Sequence, residues 1–397
     1  MAELRRILFV DNENTVLREL ETGLAAMRGQ WQMEFISDAR AALQRLDEER
    51  FDALIADPCL SGKDGASLLA EAAQRHPPLV RIVLAGPSER SAALDALAVA
   101  HQVLAKPCDP AELRATIGRA LALRKFLGGD TPLKALVSRL DSLPSMPALY
   151  RRIVEELQSA HASFESVAAI IGQDPPMAAK ILQLVNSAYF TRAQHVSDLS
   201  QALRMLGLDT IKALVLSLQV FSQFDAETLA GLSVERIWRH SVRTGALARA
   251  IARAERAPRE VENDAFTAAL LHDVGKLILA ANLPNIYAKI GPLCDAEALE
   301  PCAAERRLFG AAHAETGAYL LGLWGLPESI VEAVAYHHHP RDREPAGICA
   351  LTWVHAANAL AQLPDAPVGV LDAEYLGALD LLERLPAWAA LGEAMPD

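Results

Sequence analysis

The chain has 397 residues, with 38 Lys+Arg against 50 Asp+Glu and a formal charge of −12, and at about 100–200 residues per domain this length predicts two or three domains. Hydrophobic residues make up 51% and charged residues 22%, a globular balance that excludes a largely disordered chain. Residues 1–125 carry 16 basic and 18 acidic side chains and the remainder 22 and 32, so neither part is a basic platform and no nucleic acid or anionic membrane is expected as a direct partner.

The first 125 residues alternate strand and helix. Arg6–Val10 reads as a buried strand, and Asn14–Met27 carries apolar positions at helical spacing. Met33–Ile36 is a second strand, followed by a helix over Ala39–Leu46 with Asp38 as its N-cap. Phe51–Ala56 and Val80–Leu84 are the third and fourth strands, with a helix over Gly65–Arg75 between them. A helix over Ser88–Ala98, with Glu89 in its first turn, precedes a fifth strand at His101–Ala105. Pro110 opens a last helix that reaches Leu127. Five such units imply a parallel sheet with helices on both faces and a ligand site at the carboxyl ends of the strands.

Gly128-Gly129-Asp130-Thr131-Pro132 breaks the pattern and is read as a linker within residues 126–135. Residues 136–397 show amphipathic helical spacing without convincing period-2 alternation, so the expected class is α/β followed by all-α. The helical part divides into an N-terminal subdomain at 136–225 and a second at 226–397. Five scattered cysteines without a CxxC pair point to a reduced, cytoplasmic compartment. No run approaches the ~20 apolar residues of a membrane span.

Asp11, Asp57 and Lys106 each follow a strand, at the ends of the first, third and fifth. Clustered carboxylates at adjacent strand ends suit a hard divalent cation such as Mg2+. A lysine ammonium beside them holds a phosphoryl oxygen, and Asp57 is the candidate nucleophile. Phe9-Val10-Asp11-Asn12-Glu13, the segment from Asp52 through Asp57 to Asp64-Gly65, and Lys106-Pro107 resemble the receiver domain of two-component response regulators. The resemblance implies phosphorylation of Asp57 by a histidine kinase, a Mg2+ and phosphoryl site made of Asp11, Asn12, Asp57, Cys59 and Lys106, and homodimerisation through the face formed by residues 84–125. Two positions depart from the family pattern. Asn12 stands where an acidic residue is usual, and Ala85 stands where a Ser or Thr hydroxyl usually reports the phosphoryl group, with Ser88 three residues further on.

The second half concentrates histidines. His240 lies near the start of an Ala-rich helix, His272-Asp273 within the apolar run Ala268–Leu279, His313 in His-Ala-Glu-Thr-Gly, and His337-His338-His339 after Tyr336. Imidazoles with a carboxylate suit Mn, Fe or Zn. Two polar groups in a run that reads as one core helix need partners, either a metal or each other. The segments Leu143–Pro147 and Ala179–Phe190, Gln201-Ala202 with Leu206-Gly207, and the His-Asp pair together resemble the HDOD domain, a relative of the HD metal-dependent phosphohydrolases. The resemblance implies a metal set of His240, His272, Asp273, His313, His337 and His338, with Asn358 at the place of a late metal aspartate. For the whole chain it implies a response regulator whose HDOD domain acts mainly by contact with a downstream signalling protein. The alternatives are a receiver-regulated phosphohydrolase acting on a nucleotide or cyclic dinucleotide, and a metal or nucleotide sensor without turnover.

Overall fold

The structure is a computed structural model. It describes residues 4–60, 65–89, 92–93, 96, 99–123, 132–137, 144–145, 152–153, 156–157, 162–186, 196–207, 211, 222–223, 232–344, 347–361 and 371–395. The expected linker glycines, Asp64, and the segments 146–150 and 187–190 lie outside these residues, as does much of the expected helix over Ser88–Ala98. The chain forms two compact units, the first built on Met1–Ser142 and the second comprising Leu143–Leu182, His195–Leu321 and Leu326–Asp397.

In the first unit β1 (Arg5–Val10), β2 (Trp31–Ile36), β3 (Ala53–Ala56), β4 (Val80–Ala85) and β5 (Gln102–Ala105) form one sheet in the order β2-β1-β3-β4-β5, with every pairing parallel. Ile7 to Val10, all of β3 and all of β4 are buried, because helices cover both faces of a parallel sheet. These helices include α1 (Asn14–Gly23), α2 (Ala39–Glu48), α3 (Gly65–Arg75) and α4 (Pro110–Ala122). Asp38 and Asp109 cap α2 and α4 by accepting the amide hydrogens of Ala41 and Ala111. The chain leaves β1 for β2 on one side and returns to β3 on the other. That reversal opens a crevice beyond the carboxyl ends of β1 and β3.

Beyond α5 (Pro132–Val137), the described second unit is helical except for a two-residue parallel pair, β6 (Pro144–Ser145) with β7 (Ser222–Gln223). So short a pair leaves no alternation in the sequence to read. Its helices are α6 (Phe164–Ile171), α7 (Pro175–Asn186), α8 (Leu199–Leu206), α9 (Val234–Ala254), α10 (Arg259–Leu271), α11 (Val274–Asn282), α12 (Pro284–Tyr287), α13 (Ile290–Glu297), α14 (Pro301–Phe309), α15 (His313–Leu323), α16 (Glu328–Tyr336), α17 (Ala350–Ala361), α18 (Ala373–Ala378) and α19 (Leu385–Glu393). The centre is a bundle in which α9 packs on α10 and α17, and α16 packs on α10 and α17. Trp353 of α17 and Trp388 of α19 meet edge to face at 5.8 Å, and Trp388 donates its indole hydrogen to Glu255 at 2.8 Å. Among the described residues, no single helix is long and apolar enough to cross a membrane.

The run Ala268–Leu279 is two helices rather than one. α10 ends at Leu271 and α11 begins at Val274, with Asp273 at φ −97° and ψ 5° in the N-cap position. Periodicity does not reveal this break, because residues 267–275 are buried without interruption and the apolar run is continuous across it.

Candidate functional site

The crevice of the first unit holds the expected charges. Asp11 and Asp57, both 2% exposed, follow β1 and β3. Lys106 Nζ, just past β5, lies 2.6 Å from Asp11 Oδ2 and pairs also with Asp57 Oδ2. Burial alone would lower the Lys106 pKa, but the two carboxylates outweigh it and hold the ammonium above its ordinary value. Asp11 Oδ1 accepts the Glu13 amide hydrogen and Asp57 Oδ1 that of Cys59, so one oxygen of each carboxylate is fixed by the loop that follows it. Asn12 donates its side-chain amide to the Cys59 carbonyl at 3.3 Å, joining the loops after β1 and β3 where an acidic residue would have repelled that carbonyl. Ala85 is fully buried at the end of β4, and Ser88 is exposed.

In the second unit the helix break places the predicted histidines around Asp273. His272 donates Nδ1–H to the Ala269 carbonyl at 2.6 Å, and His337, at the end of α16, does the same to Val334 at 2.7 Å. Each bond fixes the tautomer and turns a bare Nε2 inward. Lys276, one turn into α11, holds Asp273 Oδ2 at 2.7 Å, which leaves Oδ1 facing His272 Nε2 at 3.5 Å. Among the described residues, His272 Nε2, Asp273 Oδ1 and His337 Nε2 are buried without a hydrogen-bond partner. Three such orphans in one place would be costly unless something binds them. His313 opens α15 and gives both its amide N–H and its ring Nδ1–H to Glu305, at 2.8 and 2.6 Å. Its Nε2 lies 3.1 Å from His338 Nε2 and 3.3 Å from Asp273 Oδ1. His240 Nε2 meets Asn358 Oδ1 at 2.9 Å.

The ligand atoms fall into two groups that share Asp273, each with its atoms within 4.8 Å of one another. One group is Asp273, His313, His337 and His338, and the other is His240, His272 and Asp273. The expected set is therefore brought together. Asn358 meets it through His240, as a hydrogen-bond partner.

Burial pushes the His272 pKa down to about 4 and those of His337 and His338 well below the ordinary range, leaving three neutral imidazoles. His313 is buried too, but Glu305 outweighs the burial and raises its pKa to about 9. For Asp273, burial favours protonation, but the facing histidines and Lys276 outweigh it and keep the carboxylate ionised.

Sequence reading missed Glu305, Lys276 and Gly275 as parts of this site. Glu305 lies eight residues before His313 across the turn at Gly310, a pairing that only the packing of α14 against α15 creates. A Cβ on Gly275 would stand 1.9 Å from the His313 carbonyl oxygen, so the glycine is what lets the start of α15 reach Asp273. Lys276 had a readable signal, since a cation three residues after an aspartate shares its helical face.

Comparison with known proteins finds a match for each of the two parts of the chain. A response regulator receiver domain model matches residues 7–118 and an HDOD domain model matches residues 143–340. Among solved structures, the MmoQ response regulator of Methylococcus capsulatus is 26% identical, covering 63% of this chain and 98% of that one at a TM-score of 0.49. The receiver domain of an HD domain-containing protein from Pseudomonas fluorescens is 29% identical, covering 32% of this chain and 92% of that one at a TM-score of 0.30. An uncharacterised protein of Treponema pallidum is 26% identical over 52% of this chain, and the match spans 39% of that protein's own length. The chain belongs to the response regulators, with a receiver domain followed by an HDOD domain. A receiver domain implies a phosphodonor such as a histidine kinase.

Proposed function

We propose that this response regulator takes a phosphoryl group on Asp57 from a histidine kinase, with Mg2+ held by Asp11, Asp57 and the Cys59 carbonyl. We further propose that its HDOD domain is a metal-holding output domain. The observation that carries the second part is that His272 Nε2 and His337 Nε2, buried and without hydrogen-bond partners, belong to two ligand groups that share the buried Asp273. His313 and His338 complete one side of Asp273, and His240 and His272 the other. Mn, Fe or Zn suits this donor set. The groups that would orient these ligands are in place: Ala269, Val334 and Glu305 fix three imidazoles, and Lys276 fixes the carboxylate.

Output runs through contact with a downstream signalling protein. Asn358 favours this reading, because it closes the His240 side with a neutral amide instead of a charged ligand. A specific observation also favours hydrolysis of a nucleotide or cyclic dinucleotide: Asp273 belongs to both ligand groups, so its carboxylate would serve a metal held by either, the donor arrangement a two-metal site would need. A divalent ion held there would supply a water of lowered pKa and polarise a phosphoryl oxygen. Calorimetric titration of the chelator-treated chain with Mn2+ tests the metal reading. Saturable binding that Asp273→Ala abolishes supports it, and heat no different from buffer dilution sinks it.

A further inference from the structure

The receiver crevice holds a carboxylate that the expected set of Asp11, Asn12, Asp57, Cys59 and Lys106 does not include. After β4 the chain makes a single 3-10 turn over Pro87–Glu89 and brings the Glu89 side chain back over the strand end. Glu89 Oε2 accepts the Gly86 amide hydrogen at 2.6 Å. A carboxylate oxygen of Glu89 also lies within 4.8 Å of an Asp57 oxygen and of Cys59 Sγ.

Gly86 is the first residue past β4, and β4 lies next to the strand that carries Asp57. An amide N–H at that strand end is a natural partner for an anion bound in the crevice. Among the described residues, Lys106 Nζ and the Cys59 amide also donate there, and both are engaged with Asp57 itself. Ala85 contributes no hydroxyl. A phosphoryl group on Asp57 would therefore turn to Gly86 N–H and find an anion already in place.

We propose that Glu89 is a built-in occupant of the phosphoryl-oxygen position, a positioning residue that holds the β4 loop through Gly86 and opposes charge build-up on Asp57. This rests on Asp57 being the phosphoacceptor. In the transfer, an Asp57 oxygen forms a bond to phosphorus while the donor's bond to phosphorus breaks, P–N in a kinase phosphohistidine or P–O in acetyl phosphate, and the imidazole or acetate leaves with the electron pair. The acyl phosphate carries about 1.5–2 negative charges where the Asp57 carboxylate carried one, so about 0.5–1 further negative charge stands beside Glu89. Phosphorylation then requires Glu89 to release Gly86 and swing out. The receiver is held back by its own side chain, and the swing couples the phosphoryl group to the loop that a hydroxyl at residue 85 would otherwise report.

The test uses the full chain with Mg2+ and acetyl phosphate, read by intact mass, and beryllofluoride affinity, read by calorimetry. Glu89→Gln keeps an acceptor for Gly86 N–H and removes the charge, whereas Glu89→Ala removes both. The expected result is an initial phosphorylation rate and a beryllofluoride affinity at least tenfold higher in Glu89→Gln than in the natural chain, with Asp57→Asn inert. Equal rates and affinities in the natural chain and Glu89→Gln overturn the proposal and leave Asp57 as phosphoacceptor. A weaker Mg2+ affinity with slower phosphorylation in Glu89→Gln overturns it in favour of Glu89 as a cation ligand. No uptake by either chain removes the phosphoacceptor reading and this inference with it.

Discussion

In chelator, with no metal on the histidine cluster, its imidazoles are open to titration, and the structure sets how stability then depends on pH. His272 has a pKa of about 4 in the folded protein, because burial without a charged hydrogen-bond partner disfavours the imidazolium. Unfolding returns it to about 6.5. Between those values the unfolded chain binds a proton that the folded chain does not, so the contribution of His272 is complete above about pH 6.5 and lost as pH falls toward 4. The gap of about 2.5 units corresponds to roughly 3 kcal/mol. His337 and His338 are displaced in the same direction. His313 works the other way: its pKa of about 9 means a contribution that is full below 6.5 and lost as pH rises through 9. The stability of the chelated HDOD domain should therefore peak near neutrality and fall on both sides. Urea unfolding in EDTA, followed by the fluorescence of the buried Trp353 and Trp388, measures it. In His272→Asn the acid-side loss should shrink by about 3 kcal/mol. An unchanged acid limb in that variant would refute the reading of His272 as a buried neutral imidazole.

Three further expectations use the same geometry. Asp57→Asn should abolish phosphoryl uptake from acetyl phosphate, measured by intact mass, with the fold unchanged by circular dichroism. Asn358→Asp should tighten Mn2+ binding on the His240 side by about tenfold, the difference between a neutral and a charged oxygen ligand, measured by calorimetry. Gly275→Ala must push α15 away from α11, because its new methyl would meet the His313 carbonyl. It should cost at least about 1–3 kcal/mol in thermal stability and weaken metal binding with it.

Much of the receiver was legible because parallel strands are buried on both faces and announce themselves as short apolar runs. Asp57 and Lys106 sit one residue past two of them. Asp38 and Pro110 marked their helix starts correctly, since capping chemistry is local. The candidate histidine ligands were legible as residue types, but not the packing that aims them. The α10–α11 break, the Glu305–His313 pair and the close approach at Gly275 depend on which helices pack together, and no local pattern encodes that. Glu89 was read as an ordinary first-turn acid, and its role emerged only with the turn that folds it back to Gly86.

The central claim is that the His–Asp cluster holds a metal, and elemental analysis of the full chain purified without added metal or chelator addresses it most directly. The account predicts one or two transition-metal ions per chain, lost in Asp273→Ala. Metal-free protein that stays so after incubation with Mn2+ or Fe2+ would contradict it and leave the cluster as an internal polar network.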